Sequence, residues 1–194
     1  MVISEGWKAS GISGEERAKL FKNFALGVSR LEMLPEYNVP SEKADLEAFV
    51  KGGPLPNPVL GAESWFEGIR ASVKAGKYFS KLKIVPKALT PYLRMQLLHL
   101  APTSVEYGMD YRIIMTEQAE PILAGLKFRQ DFWFFDRKAI VLMDYDPTGA
   151  YIGGRLIDAP EACRHANDVL SQLHAVSMPL EKFMKDIYPN LSSK

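Results

Sequence analysis

Residues 131–156, DFWFFDRKAIVLMDYDPTGAYIGGRL, decide the fold. Three runs rich in aromatic and β-branched residues, Asp131 to Phe135, Ala139 to Tyr145 and Ala150 to Leu156, are separated by two short polar breaks. Runs of this kind fit a pleated surface, and breaks this short join antiparallel neighbours, so the stretch predicts a three-stranded meander. Asp136-Arg137-Lys138 supplies the first turn. Asp146-Pro147-Thr148-Gly149 supplies the second, with Pro and Gly where a type I turn favours them. Phe132, Trp133, Phe134 and Phe135 read as a buried strand rather than an exposed platform for stacking bases.

Upstream, Tyr78 to Val85 predicts another strand. Its Leu82 and Ile84 alternate with Lys81 and Lys83, which places both lysines on the opposite face, expected to meet solvent. Asp110 to Met115 predicts a further strand. Between these two, Thr90-Pro91 is a helix start, with a hydroxyl cap and proline at the first position, and the helix is expected to end before Pro102. Trp65, Phe66, Ile69 and Val73 form a helical stripe that stops at Gly76. Ser13-Gly14-Glu15-Glu16 has the form of a capping box, and Leu20, Phe21, Phe24, Val28 and Leu31 then recur at helical spacing, predicting a first helix over 14–31. Ser41 caps a short helix that ends at Gly52, and residues 52–58, rich in Gly and Pro, read as a linker. A helix from Pro160 to about Ala175 is interrupted at Ser177-Met178-Pro179 before a last amphipathic turn set.

These elements predict an α/β (α+β) fold: a central mixed sheet, with the antiparallel meander in its C-terminal half, flanked by helices and preceded by a helical N-terminal region. Residues 1–58 would form that region and its linker and residues 59–194 the α/β core, within one structural domain. The 194 residues, 47% of them apolar, suffice for one well-buried core.

Cys163 is the only cysteine, which excludes an intramolecular disulfide and a thiolate zinc cage and fits a reducing, cytoplasmic setting. The first residues lack a basic stretch followed by an apolar one, and no window reaches the ~18 apolar residues of a membrane span. Net charge is +1, which argues against a general nucleic-acid binder, but the charges are uneven. Residues 68 to 105 hold seven Lys/Arg and no acid, whereas 106 to 160 hold six basic and nine acidic residues. Lys81, Lys83 and Arg94 in that acid-free window are the candidate anion-binding residues, with Asp131, Trp133 and Asp136 as an adjoining groove edge.

Chemistry is sparse. Cys163 and His165 stand two apart on a helix and so point to different faces. No histidine pair has metal-ligand spacing, and no phosphate-cradling glycine loop occurs. Asp144 and Asp146 share one face of a strand end, the geometry a hard cation or an acid–base pair needs, and Asp146 also opens its own turn. The expectation is therefore a non-enzymatic regulatory or binding module without cofactor. A metal-dependent hydrolase or phosphotransferase using the acidic meander is the alternative, and a nucleic-acid binder the third reading.

Several short motifs carry a resemblance. They are Arg30-Leu31-Glu32 with Tyr37, Gly76-Lys77, Leu89-Thr90 with Tyr92-Leu93, Gly108-x-Asp110-x-Arg112, and Asp131-Phe132-Trp133-Phe134-Phe135-Asp136 leading to Tyr145-Asp146. Over about residues 20 to 185 the chain resembles an actinomycete-type family of small proteins of unknown function, often encoded beside helix-turn-helix regulators. Lys81 and Lys83 stand where arginines are expected, and Met95-Gln96 where an aromatic–Glu pair is. The resemblance implies a protein partner, a helix-turn-helix regulator, or a small anionic ligand. The element order is also similar to half of a phospholipase D fold, whose H-x-K-x-x-x-x-D motif supplies the nucleophile. With Asp136 as the closing aspartate, Arg129 and Asp131 occupy the His and Lys positions, so that motif is missing here.

Overall fold

The meander forms as β5 (Phe132–Phe135), β6 (Ala139–Tyr145) and β7 (Tyr151–Ile157), antiparallel, with Trp133 opposite Val141 and Leu142 opposite Arg155. It belongs to a computed structural model that describes residues 7–55 and 57–189. Before it come β1 (Ser10–Ile12), α1 (Gly14–Asn23), β2 (Gly27–Glu32), α2 (Lys43–Val50), α3 (Glu63–Lys74), β3 (Tyr78–Val85), α4 (Pro91–Met95), α5 (Ala101–Glu106), β4 (Asp110–Met115) and α6 (Thr116–Leu123). After it come α7 (Pro160–Val176), β8 (Met178–Pro179) and α8 (Leu180–Asp186). Among the described residues the strands make one eight-stranded sheet in the order β1-β7-β6-β5-β2-β3-β4-β8. β2, β3 and β4 run parallel and the other pairings are antiparallel, so the fold is mixed α/β.

The expected helix over 14–31 is the main difference. The Ser13–Glu16 capping box is present, but α1 ends at Asn23 and the chain re-enters the sheet at Gly27. A Cβ on Gly27 would lie 2.4 Å from the Tyr78 ring and carbonyl, so only glycine lets β2 approach β3 here. Val28 and Leu31, which looked like one helical stripe, instead project to opposite faces of a central strand and are fully buried in separate cores. A spacing of three residues shares one face in a helix and takes opposite faces in a strand, so these apolar positions fit both, and tertiary pairing decided between them.

The helix begun at Thr90 does not stop before Pro102. Thr90 caps it as expected, accepting from the Leu93 N–H, but a π-helical turn over Gln96–Leu100 follows α4 and leads into α5, with Pro102 in its first turn. Proline lacks the N–H and crowds the carbonyl four residues back, and the wider turn accommodates both. The short helix expected after Ser41 starts at Lys43, following a 3-10 turn over Pro40–Glu42. Part of the expected linker, Pro56, lies outside the described residues.

Two cores sandwich the sheet. On one face Leu31, Leu82, Ile114, Phe132 and Phe134 pack under α6 and α7. On the other, Val28, Phe79, Ile113, Trp133 and Phe135 pack under α3, α4, α5 and α8. All four residues of β5 are buried, because helices cover both of its faces. Among the described residues no helix is long and apolar enough to cross a membrane.

Candidate functional site

The second face carries more than apolar residues. Alternation along β2 puts Arg30 and Glu32 on the Val28 side, and alternation along β3 puts Lys81 and Lys83 on the Phe79 side, with Lys81 at the middle of β3 and the other three in the carboxyl-terminal halves of these adjacent parallel strands. In open α/β sheets that is the end where ligands bind. The lysines do lie opposite Leu82 and Ile84, but not in solvent: Lys83 is 0% exposed and the Lys81 side chain 16%. The face expected to be wet is covered by helices.

The charges form one network. Arg30 Nη2 donates to Asp131 at 3.1 Å and to the Tyr145 hydroxyl at 2.7 Å, and its guanidinium lies 5.2 Å from the centre of the Trp133 ring. Asp131 also accepts from the Met33 N–H at 2.8 Å and from the Tyr37 hydroxyl. Glu32 receives Lys81 Nζ at 2.9 Å and faces Lys83 Nζ at 3.4 Å, while Lys83 donates to the Leu34 carbonyl at 3.0 Å. Burial opposes the Glu32 charge, but Lys81, Lys83 and Arg30 outweigh it and hold the carboxyl well below the usual range. Burial, partly offset by Glu32 and Asp131, lowers Lys83 to about 8. Burial and the neighbouring carboxylates Glu32 and Asp131 raise the Tyr37 phenol, and Tyr111 is raised by burial and by Glu32 and Glu42. Three cations thus surround two carboxylates.

Above this network lies a cavity of about 640 Å³. Arg30, Glu32 and Lys81 form its charged wall, Trp133, Tyr37 and Tyr145 an aromatic one, and Gln96 and Tyr111 also line it. Burial raises the Glu42 carboxyl, against the Tyr92 hydroxyl that donates to it at 2.7 Å, so a weakened acid completes the lining. Among the described residues that line it, Arg30 Nη1, Glu32 Oε2, Gln96 Oε1 and the Tyr111 hydroxyl are buried without a hydrogen-bond partner. A buried polar atom left unmatched costs about 1–3 kcal/mol, and four around one cavity leave donors and acceptors there for water or a ligand to match.

Of the residues singled out from sequence, Lys81 and Trp133 line this cavity, and Lys83 and Asp131 belong to the network behind it. Arg94 is not in the lining. Asp136 sits at the opposite end of β5, where its carboxylate accepts from the N–H groups of Ala25, Leu26 and Gly27 at 2.9, 2.7 and 3.1 Å. That anchors the entry to β2 and is no part of the groove edge. Arg30, Glu32, Tyr37, Tyr111 and Tyr145 were missed as site residues, although Arg30-x-Glu32 before Tyr37 was visible as a motif. Reading 24–31 as helix hid its alternation.

The other candidates are engaged locally. Arg155 Nη2 and Nε hold Asp144 at 2.7 and 2.9 Å, and Asp146 accepts from the Thr148 and Ala150 N–H groups within its turn at 2.8 and 3.0 Å. Among the described residues no group of three or more His, Cys, Asp or Glu is placed to hold a metal ion. Cys163 is buried, and His165 accepts from the Lys127 N–H and packs against Trp7.

No curated protein matches the chain. Among solved structures, the phosphatidylserine synthase of Haemophilus influenzae Rd KW20 is similar at 12% identity and a TM-score of 0.46, over 94% of this chain. The chain spans 42% of that protein's length. Residues 15–185 match a family described as a domain of unknown function, DUF6879, and this span takes in β2, β3, β5 and every charged residue of the network. The chain therefore belongs to the DUF6879 family.

Proposed function

We propose that the domain is a non-enzymatic binding module whose cavity takes a small anionic ligand, its acid group against Arg30 and Lys81 and its body against Trp133, Tyr37 and Tyr145. The observation that carries this reading is the Arg30 guanidinium, 4% exposed, with Nη1 unmatched beside a 640 Å³ cavity. A fixed guanidinium is matched to a planar acid group, and the aromatic walls favour a flat body over a bare ion. The charged groups that line the cavity, Arg17, Arg30 and Lys81 against Glu32 and Glu42, favour an anion.

Benzoate is the probe, with acetate as the small acid lacking a ring. Benzoate is expected to raise the melting temperature, because a ligand at a hundred times its Kd stabilises by about 2.7 kcal/mol. Lys81→Met is expected to remove that response. A benzoate response that persists in Lys81→Met, or none in the parent chain at tens of millimolar, refutes the placement.

A protein partner is favoured by the apolar rim of the cavity. Trp65 and Tyr151 line it and are 38% and 41% exposed, and the adjacent Ile152 is 66% exposed. The partner would be the DNA-binding regulator that the sequence resemblance implies, seated over the loaded cavity. Co-purification with a helix-turn-helix regulator, lost in Ile152→Asp, is the expected result. Equal recovery with both chains refutes it.

A further inference from the structure

We infer that the groove between α7 and the sheet, on the face opposite the Arg30 cavity, is a second binding site and that its ligand is a small phosphate monoester. The sheet explains why a groove exists. On the α7 side, β2 and β3 present Leu31 and Leu82 to the core, but two residues earlier they present Ser29 and Ser80, paired across the strands and bonded to each other at 2.8 Å. Serines fill less space than leucines, and α7 does not close the gap. Its residues there, Asn167, Ser171 and His174, recur at one helical face and are polar like the strip below them. The result is a cavity of about 420 Å³ with hydroxyl and amide walls and an apolar floor of Leu82, Phe134 and Leu170.

Two arginines stand at its edge, from different elements. Arg112 on β4 is fixed by Ser177, donating from Nε to the hydroxyl at 2.7 Å and from Nη2 to the carbonyl at 3.1 Å, which leaves Nη1 3.7 Å from Asp110. Arg137 sits in the β5–β6 turn with φ +57, after Asp136 with φ +51. Such a turn is the ordinary work of Asn-Gly, and a long side chain in left-handed backbone costs stability. The turn is held regardless by the three bonds from Asp136 to the start of β2. Strain retained at an arginine that lines a cavity points to a use for that arginine.

The charges and shape select the ligand. Asp110 lies 3.5 Å from His174 and 3.7 Å from Arg112 and is the one carboxylate of the lining, which also holds Arg137. Lys81 contributes its backbone side only, since its ammonium is on Glu32 beyond the sheet. The Ser171 hydroxyl is given to the Asn167 carbonyl, so the donors left are two guanidinium groups and the one hydroxyl proton that the Ser29–Ser80 pair does not use. Such a set suits an anion with three acceptor oxygens in tetrahedral array better than a flat carboxylate. The apolar floor and the volume leave room for the ester's carbon part.

Calorimetric titration with phenyl phosphate tests this, with phenol and inorganic phosphate as references. Phenyl phosphate is expected to bind more tightly than inorganic phosphate, and phenol not at all. Arg137→Gly is expected to weaken phenyl phosphate at least about tenfold while raising the melting temperature, because glycine adopts the turn without strain. Ser171→Leu, which fills the groove from the helix and leaves the sheet alone, is expected to abolish binding. Failure of the parent chain to bind phenyl phosphate at millimolar concentration overturns the site, as does unchanged affinity in either variant. Lost binding together with a lowered melting temperature in Arg137→Gly overturns the role given to strain. Duplex DNA competing more effectively than phenyl phosphate overturns the assignment to a small ester.

Discussion

Lys83 shows what the charged wall costs. It is fully buried, its ammonium reaches one carbonyl and stands 3.4 Å from one carboxylate that Lys81 already holds, and burial lowers it to about 8. The unfolded chain keeps Lys83 at its ordinary value, so between about pH 8 and that value the unfolded state binds more protons and stability rises with pH. Below that window the mismatch is a constant penalty. Lys83→Met removes it, leaves Glu32 with Lys81 and Arg30, and orphans the Leu34 carbonyl. The net expectation is a gain of about 2 kcal/mol at pH 7 that shrinks by pH 10, read from urea denaturation at both values. A loss at pH 7, or a gain independent of pH, would mean that the ammonium is fully compensated where it stands. At this scale the sequence was half informative. The lysines and Asp131 announced themselves as unusual charges, but their partners Arg30 and Glu32 carry meaning only once β2 is known to lie beside β3.

That adjacency is a property of elements, and Gly27 controls it. Its missing side chain lets β2 pair with β3 over Gly27–Tyr78 to Glu32–Lys83, and the same register sets Arg30 beside Lys81. A methyl group there would meet the Tyr78 ring and carbonyl at 2.4 Å, and the carbonyl is backbone that cannot turn aside. Gly27→Ala is expected to cost about 3 kcal/mol or more, seen as a lower urea midpoint with unchanged slope. A cost under about 1 kcal/mol would show that the strands slide apart freely. The strands that sequence showed plainly, β3, β4 and β6, combine β-rich composition with turn residues at both ends, so local and tertiary preferences agree. In β2 they conflict, because Phe24, Val28 and Leu31 satisfy a helical period equally well. Pro102 is the converse case: local chemistry said stop, and a π-turn carried the helix through to α5 with Gln96 facing the cavity.

Across the whole molecule, the acid-free window of residues 68–105 looks like a basic surface in one dimension and is not one in three. Lys81 and Lys83 are inside, on Glu32. Arg70 is paired with Glu67 at 2.7 Å and lies over the Tyr107 ring, and Lys77 donates to the Phe24 carbonyl. Acids missing from the window in sequence are thus supplied by β2 and α3 in space, which leaves Lys74 and Lys87 as the exposed charges of the window. Non-specific duplex affinity comes from releasing counterions at several phosphates at once, and scattered lysines release few. Fluorescence anisotropy with a labelled duplex at physiological salt is therefore expected to show no saturation below about 100 µM protein, the weak end of non-specific binding. Micromolar binding that weakens steeply with salt would overturn this expectation. It would also demand that Lys81 and Lys83 leave Glu32, which the Lys81→Met variant reports directly: a surface role predicts weaker DNA binding there, and the internal role predicts none to lose.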